Sequence, residues 1–320
     1  MAPSVALSDE VRLAAHVQHL SSVANPFVKH VVKLRQNSAY RYASGSLVLV
    51  GDVPLRELCD IVPSKLGKRA FIEYLFVLEG SNARASLAQF AQRVVEVTPG
   101  VMHKLSGVQS TQGCNAVGVT CLPSSFCCLE RSLDNFSSLS SWCPCPQRLL
   151  VLDGIQDPGN VGTLLRTAAA FDWDGVFLLN GCCDPFNEKA LRASRGACFW
   201  VPLACGKWDQ LQALAKTRKM VFYAGEAQHK TDSVASNQEN FDQWRKKEDQ
   251  FCTSASEELG NINEESLCLI LGNEGQGLSE ETRAACRHVS IPMPGRFESL
   301  NVAVAGGILL YLLQKKQQKM

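Results

Sequence analysis

The 320-residue sequence has no apolar run long enough to cross a bilayer without glycine or polar interruptions, so a soluble chain with no membrane partner is expected. It also lacks an excess of either charge. Its 32 Lys and Arg stand against 31 Asp and Glu, which excludes a generally basic nucleic-acid coat and leaves room only for a local basic patch. No Cys-x-x-Cys spacing occurs, and no histidine lies near Cys127-Cys128 or Cys143-Pro-Cys145, so no metal site is expected. The first residues carry no charged-then-apolar secretory signal, and Asp9 and Glu10 argue against an organelle transit peptide. Neither Gly-x-Gly-x-x-Gly nor the Gly-Lys-Ser/Thr of a phosphate-binding loop is present, so an ordinary nucleotide-dependent enzyme has no support.

Hydrophobic residues make up 46% of the chain, ample for real cores, and the length suggests two domains. The 14 cysteines fit reduced core residues of an intracellular protein, because Cys198, Cys205, Cys268 and Cys286 fall within apolar patterns. Cytoplasm and organelle remain open. Residues 1–24 read as an N-terminal extension.

From 25 to 122 the pattern predicts a small α/β domain. Phe27–Leu34 is helical, Ser46–Val50 a strand, Leu55–Cys59 the start of a helix and Phe71–Leu78 contains a strand; Ala85–Ala91 is helical, Val94–Val97 and Ala116–Val119 strand-like. Lys29, Lys33, Arg35 and Arg41 form a basic cluster, either a solvated helix face or a patch that holds RNA phosphates. Residues 123–147, rich in Ser, Cys and Pro, form a linker.

From 148 to 320 strands and helices alternate, which implies a parallel sheet flanked by helices. The strand Leu149–Leu152 passes through Asp157-Pro158-Gly159-Asn160 into a helix patterned by Val161, Leu164, Leu165, Ala168 and Ala169. There follow a strand at Val176–Leu179, a helix at Pro185–Arg195, a strand at Phe199–Leu203, a helix at Trp208–Lys216 and a strand at Met220–Tyr223. Residues 226–265 are polar, charged and aperiodic, and read as a flexible insertion. Leu267–Leu271 resumes the sheet and leads into Gly272-Asn273-Glu274-Gly275-Gln276-Gly277-Leu278. Ser279 then caps a helix at Glu280–Arg287, Val289–Ile291 is a strand, and Val302–Leu313 is a closing helix. Three strand ends thus present glycines, carboxamides and hydroxyls, which points to a shared pocket. Asn160 and Arg166 are the first candidates for chemistry, although a helix cap and a solvated arginine would explain them equally on that stretch alone.

Three stretches carry a resemblance: Asn160 through Arg166-Thr-Ala, Leu271-Gly-Asn-Glu274-Gly-Gln-Gly-Leu, and Ile291-Pro-Met with Ser299-Leu-Asn301-Val-Ala. They resemble, in family order, the three motifs of the SpoU (TrmH-like) RNA 2′-O-ribose methyltransferases of the SPOUT superfamily. The segment 25–122, with Leu105–Val119 matching its end, is similar to the ribosomal-protein-L30-like RNA-binding domain of that family. The polar insertion departs from the family's compact pattern.

The resemblance implies an α/β fold with a C-terminal deep trefoil knot, against the general rarity of knots, and a homodimer. It implies S-adenosylmethionine as cofactor, held by Gly272, Gly277, Ile291, Met293 and Leu300. The activity implied is 2′-O-methylation of a ribose in RNA, with ribosomal RNA preferred over transfer RNA. Arg166 would stabilise the developing alkoxide as a fixed cation, since a guanidinium does not give up its proton, while Asn160, Glu274, Ser299 and Asn301 orient Arg166 and the ribose. The alternative is a non-catalytic RNA-binding or ribosome-assembly protein that keeps the fold; loss of Asn160, Arg166 or the glycines would favour it, and all are present.

Overall fold

The computed structural model describes residues 13, 18–66, 70–108, 114–129, 142–225, 266–273, 275, 277–291, 293 and 299–315. The insertion at 226–265 and most of the N-terminal extension lie outside the described residues. The chain divides into two compact units. The first comprises residues up to Phe126 together with Asp157–Arg166 and Cys183–Trp200; the second comprises Cys127–Gln156, Thr167–Cys182 and the chain from Val201.

The first unit opens with β1 (His19–Leu20) and α1 (Pro26–Gln36). Asn25 caps α1 by accepting from the amide of Phe27 at 2.8 Å, and Pro26 sits where a missing N–H costs nothing. The helix ends at Asn37, whose side chain in turn caps α2 (Ser38–Ser44). Gly45 stops α2 at a φ of +65°, a conformation that favours glycine. After these come β2 (Ser46–Val50), α3 (Asp52–Leu66), β3 (Ile72–Leu78), α4 (Ala83–Leu87), β4 (Ala91–Val97), α5 (Pro99–Ser106) and β5 (Ala116–Cys121).

Their sheet runs β1-β4-β3-β5-β2, with β3 parallel to β4 and antiparallel to β5. Phe27, Val28, Val31 and Leu34 recur at helical spacing on α1 and are buried in one cluster with Phe76, Val95, Met102 and Val117. Phe27 packs at 4.6 Å from the Tyr74 ring and 6.0 Å from that of Phe76. Because Phe76 is fully buried, Phe76→Ala would cost about 3–5 kcal/mol. The helix expected over Ala85–Ala91 begins earlier, at Ala83, and continues after Leu87 as a 3-10 turn over Ala88–Phe90, stopping there because Ala91 pairs with Ile72 as the first residue of β4.

The second unit holds a seven-stranded sheet. Its strands are β6 (Phe126–Cys128), β7 (Arg148–Asp153), β8 (Gly175–Leu179), β9 (Leu203–Gly206), β10 (Val221–Gly225), β11 (Leu267–Gly272) and β12 (Arg287–Val289), in the order β12-β10-β11-β7-β8-β9-β6. From β12 through β9 every pairing is parallel. The first five residues of β7 and β11 and all of β8 are buried, the continuous apolar pattern of strands covered on both faces. The helices of the chain's second half are α6 (Pro158–Ala170), α7 (Glu188–Ser194), α8 (Ala197–Trp200), α9 (Trp208–Arg218), α10 (Glu280–Ala285) and α11 (Val302–Leu312). Contacts group Pro158–Arg166 of α6, α7 and α8 with the first unit.

Two expected strands moved. Phe199–Leu203 is not one: Ala197–Trp200 is helical, Pro202 cannot donate to a ladder, and the strand starts at Leu203. The strand expected at Val289–Ile291 lies earlier, where Arg287–Val289 pairs with Tyr223–Gly225 on the outer edge of the sheet. Similarly, the helix expected from Pro185 begins at Glu188, because Asn187 caps it by accepting from Lys189 N.

Candidate active site

In a sheet whose strands all run one way, the loops after the strands gather along one edge, where ligands bind in open α/β folds. Here those loops follow Asp153, Gly272 and Val289. The first two are joined directly. Asn273 Nδ2 donates to the carbonyl oxygen of Gly154 at 2.8 Å, and its Oδ1 accepts from Gly275 N at 2.8 Å. Asn273 and Gly277 exchange backbone bonds at 3.0 and 2.8 Å, closing a tight loop in which Gly277 has a φ of +71°. A Cβ on Gly272 would lie 2.7 Å from Gly277 C and O and Leu278 N, so the loop closes against bare backbone at Gly272.

The far end of the loop is held by a carboxylate that sequence reasoning missed. Asp153 Oδ2 accepts from Ser279 N at 3.2 Å and from the Thr282 hydroxyl at 3.0 Å, and Ser279 caps α10. The available signal was an acid placed at the end of an apolar strand.

Asn301 caps α11, its side chain accepting from Ala303 N at 2.9 Å and Val304 N at 3.4 Å. Ser299 is exposed, Leu300 is 40% exposed, and Ile291 and Met293 are half-buried. Glu274 lies outside the described residues. On α6, the half-buried Asn160 donates its backbone N–H to Asp157 Oδ1 at 2.8 Å, and Arg166 is exposed without an ion pair among the described residues. The structure therefore links Gly272 with Gly277 in one loop and puts Asn160 with Arg166 on one helix.

The basic cluster separates into two kinds of residue. Arg41 is 3% exposed; its guanidinium pairs with Asp184 and donates to the carbonyl oxygens of Leu34 at 2.6 Å and Arg35 at 2.7 Å. Arg35 is half-buried and pairs with Glu188 at 3.2 Å. Both were expected on an RNA-facing surface, and both instead spend their charge on carboxylates within the unit. Lys29 and Lys33 are exposed, Lys33 lying 4.3 Å over the Tyr40 ring. With Val32, Gln36, Asn37 and Lys104 they line a surface basin of about 400 Å3. Lys104, on α5, was not foreseen. Beneath this surface His30 is buried, bonded through Nδ1 to the Tyr40 hydroxyl at 2.8 Å, and burial followed by the nearby Lys33 charge lowers its pKa to about 4.

A parallel sheet with a glycine loop stitched along the edge after its strands defines an α/β protein, and at Gly272 that loop closes against bare main chain. Residues 147–311 match the SpoU rRNA Methylase family. An uncharacterized tRNA/rRNA methyltransferase of Synechocystis sp. is 34% identical over 314 residues, covering 95% of this chain and 96% of that one. The 23S rRNA (guanosine(2553)-2′-O)-methyltransferase RlmP of Bacillus subtilis is 33% identical over 172 residues, covering 52% of this chain and 58% of the relative. The crystal structure of an AdoMet-bound rRNA methyltransferase from Sinorhizobium meliloti shares the fold, with a TM-score of 0.64 at 24% identity over 95% of this chain and 99% of the other. The chain belongs to the SpoU rRNA methylase family.

Proposed function

We propose that this chain transfers the methyl group of S-adenosylmethionine to a ribose 2′-hydroxyl of RNA, with ribosomal RNA preferred over transfer RNA. The observation that carries the proposal is the stitched loop Gly272–Leu278 on the sheet edge of a SpoU family member that also has Asn160 and Arg166 on one helix.

S-adenosylmethionine supplies an activated methyl group when bound. The residues fit such a ligand: Gly272 and Gly277 let the loop close tightly on its own main chain, while Ile291, Met293 and Leu300 offer apolar surface for a purine face. Arg166 stabilises the alkoxide that develops on the ribose oxygen, and the proton leaves to water, because a guanidinium is too weak an acid to serve as a base. In this reading Asn160, Glu274, Ser299 and Asn301 orient Arg166 and the ribose, residues 148–320 form the methyltransferase domain and 25–122 an L30-like RNA-holding domain. Lys29, Lys33 and Lys104, rather than Arg35 and Arg41, take the phosphates.

The proposal includes the C-terminal knot. Its support is that the chain leaves β11, pairs β12 beyond β10 at the sheet edge, and then returns. On its return the carbonyls of Leu310 and Leu313 accept from Trp173 Nε1 at 3.2 Å and Arg148 Nε at 2.7 Å. It includes a homodimer as well, supported by an apolar stripe on α11: Val304 is 52% exposed and Tyr311 58%, with Ile308 and Leu312 beside them. The compartment proposed is a reducing one, cytosol or organelle. Its support is that burial raises the thiol pKa of Cys198 to about 12 and that of Cys268 further, leaving both as inert core groups.

The test is transfer of labelled methyl from S-adenosylmethionine to RNA from cells in which the gene is disrupted, followed by mapping of 2′-O-methyl positions. Tight RNA binding with no S-adenosylmethionine binding by calorimetry would replace this reading with the non-catalytic one.

A further inference from the structure

The segment Asp184–Arg195 of the first unit makes contacts that methyl transfer as described does not use. Asp184 receives Arg41 through Nε at 3.1 Å and again through a terminal nitrogen, and its second oxygen accepts from the Tyr42 hydroxyl at 2.7 Å. Phe186 stands edge-on to Phe126 at 4.8 Å and to Tyr42 at 6.4 Å. One turn on, Glu188 pairs with Arg35, and Arg195 beyond the helix pairs with Glu57. This segment is thus gripped by α1, α2 and α3.

The other side of α7 lies on α6. A Cβ at Gly162 would fall on the Ala190 carbonyl oxygen, 2.6 Å from Ala193 Cβ and 2.9 Å from Ser194 N. The two helices therefore meet through main chain and the Ala193 methyl, with no flexible side-chain tip at Gly162 to absorb a shift. Arg166 follows Gly162 by four residues, one turn along the same helix. Lys29, Lys33 and Arg35 share α1, so the helix that offers lysines outward holds α7 with its arginine.

Stability alone is a weak reason for such a grip, since apolar residues of similar volume often replace a buried ion pair at no loss. What the pair fixes is geometry: Arg41 joins a carboxylate and two helix-end carbonyls through one planar group. We propose that Arg41 and Asp184 are positioning residues, and that α7 is a strut setting the angle of the helix that carries Arg166 against the helix that holds the RNA backbone. The inference rests on the reading of Arg166 as the group that stabilises the reacting oxygen.

The experiment uses the full chain, S-adenosylmethionine and total RNA from cells in which the gene is disrupted. Arg41→Lys, Asp184→Asn and Gly162→Ala should each lower kcat about 10- to 100-fold, the scale of an ångström-level misplacement, while RNA and S-adenosylmethionine dissociation constants stay at the parent values. Gly162→Ala reaches α6 without touching the ion pair, and Arg35→Gln, at a half-buried site, substitutes for any variant that does not melt cooperatively. Arg166→Ala is measured alongside. If it retains transfer, the catalytic reading fails; if it loses transfer while the strut variants keep parent kcat, the strut fails. A loss of RNA affinity in place of kcat would also overturn the proposal, by making the segment part of the RNA surface.

Discussion

The side-chain amide of Asn273 donates to the carbonyl oxygen of Gly154 at 2.8 Å, across 119 residues of sequence. Through this bond and the Asp153 carboxylate, the end of β7 holds both ends of the loop that follows β11. Asn273→Ala removes one neutral hydrogen bond and the internal bond to Gly275 N, so stability should fall by about 1–3 kcal/mol. S-adenosylmethionine affinity should weaken with it; parent-like affinity by calorimetry would show that the stitch does not shape the donor site.

Gly272→Val tests the same loop by crowding. Its side chain would meet the main chain of Gly277 and Leu278, which cannot move as a flexible side-chain tip can. The expected outcome is weaker S-adenosylmethionine binding with RNA binding retained. Unchanged donor affinity moves the donor site elsewhere.

Arg166→Ala should keep fold and donor binding and lose about 10²–10³ in single-turnover methyl transfer, the scale for removing one donor to a developing oxyanion. Arg166→Lys should also be poor, because a point charge does not replace a planar fork. Near-normal transfer in either variant removes Arg166 from the chemistry.

Replacing Lys29, Lys33 and Lys104 together with Ala removes up to three phosphate contacts. The log–log salt slope of RNA binding should then fall by roughly 2.1 to 2.7 if each contact counts ~0.7–0.9. Arg41→Ala should leave that slope unchanged and cost about 3 kcal/mol of stability, because it removes a buried guanidinium and leaves the half-buried Asp184 carboxylate without its cation. A slope that drops in Arg41→Ala and not in the lysine variant would reverse the assignment.

His30 gives the first unit a pH dependence. Its pKa is lowered from 6.5 to about 4, so between these values the unfolded chain binds a proton that the folded chain refuses. Stability from this residue is fully present above pH 6.5 and is lost as pH falls toward 4. His30→Gln should flatten melting temperature against pH across that window. An unchanged slope would assign the dependence to other groups.

Much of the fold is legible in the sequence where burial is continuous. Ser46–Val50 is a strand at the expected bounds because five successive buried positions exclude an amphipathic helix. Edges are less legible: β12 contains the exposed Arg287 and His288, and nothing in its composition foretells pairing with Tyr223 and Ala224. The same limit governs the charges. Lys33 and Arg35 lie two apart on one helix and look alike in sequence, yet among the described residues only Arg35 finds an acid, one supplied from 153 residues away. Lys104 joins the lysines for the converse reason, since the pairing of α5 with α1 is set by the sheet order and no local pattern records it. Asn160 and Arg166 could be read because they lie six positions apart on one continuous helix, so the local helical pattern alone carries both.

The parallel neighbours of β11 are β7 and β10, so the strand made last of the three lies between the other two. No hairpin can build that arrangement, and loop closure rather than local nucleation should govern how fast the sheet forms, toward the ms–s range of topologies rich in distant pairings. Until β11 arrives, Leu149–Leu152 and Val221–Gly225 present open backbone edges beside apolar side chains. Refolding yield should therefore fall as protein concentration rises, with losses set by intermolecular pairing of these two strands before the native sheet has closed.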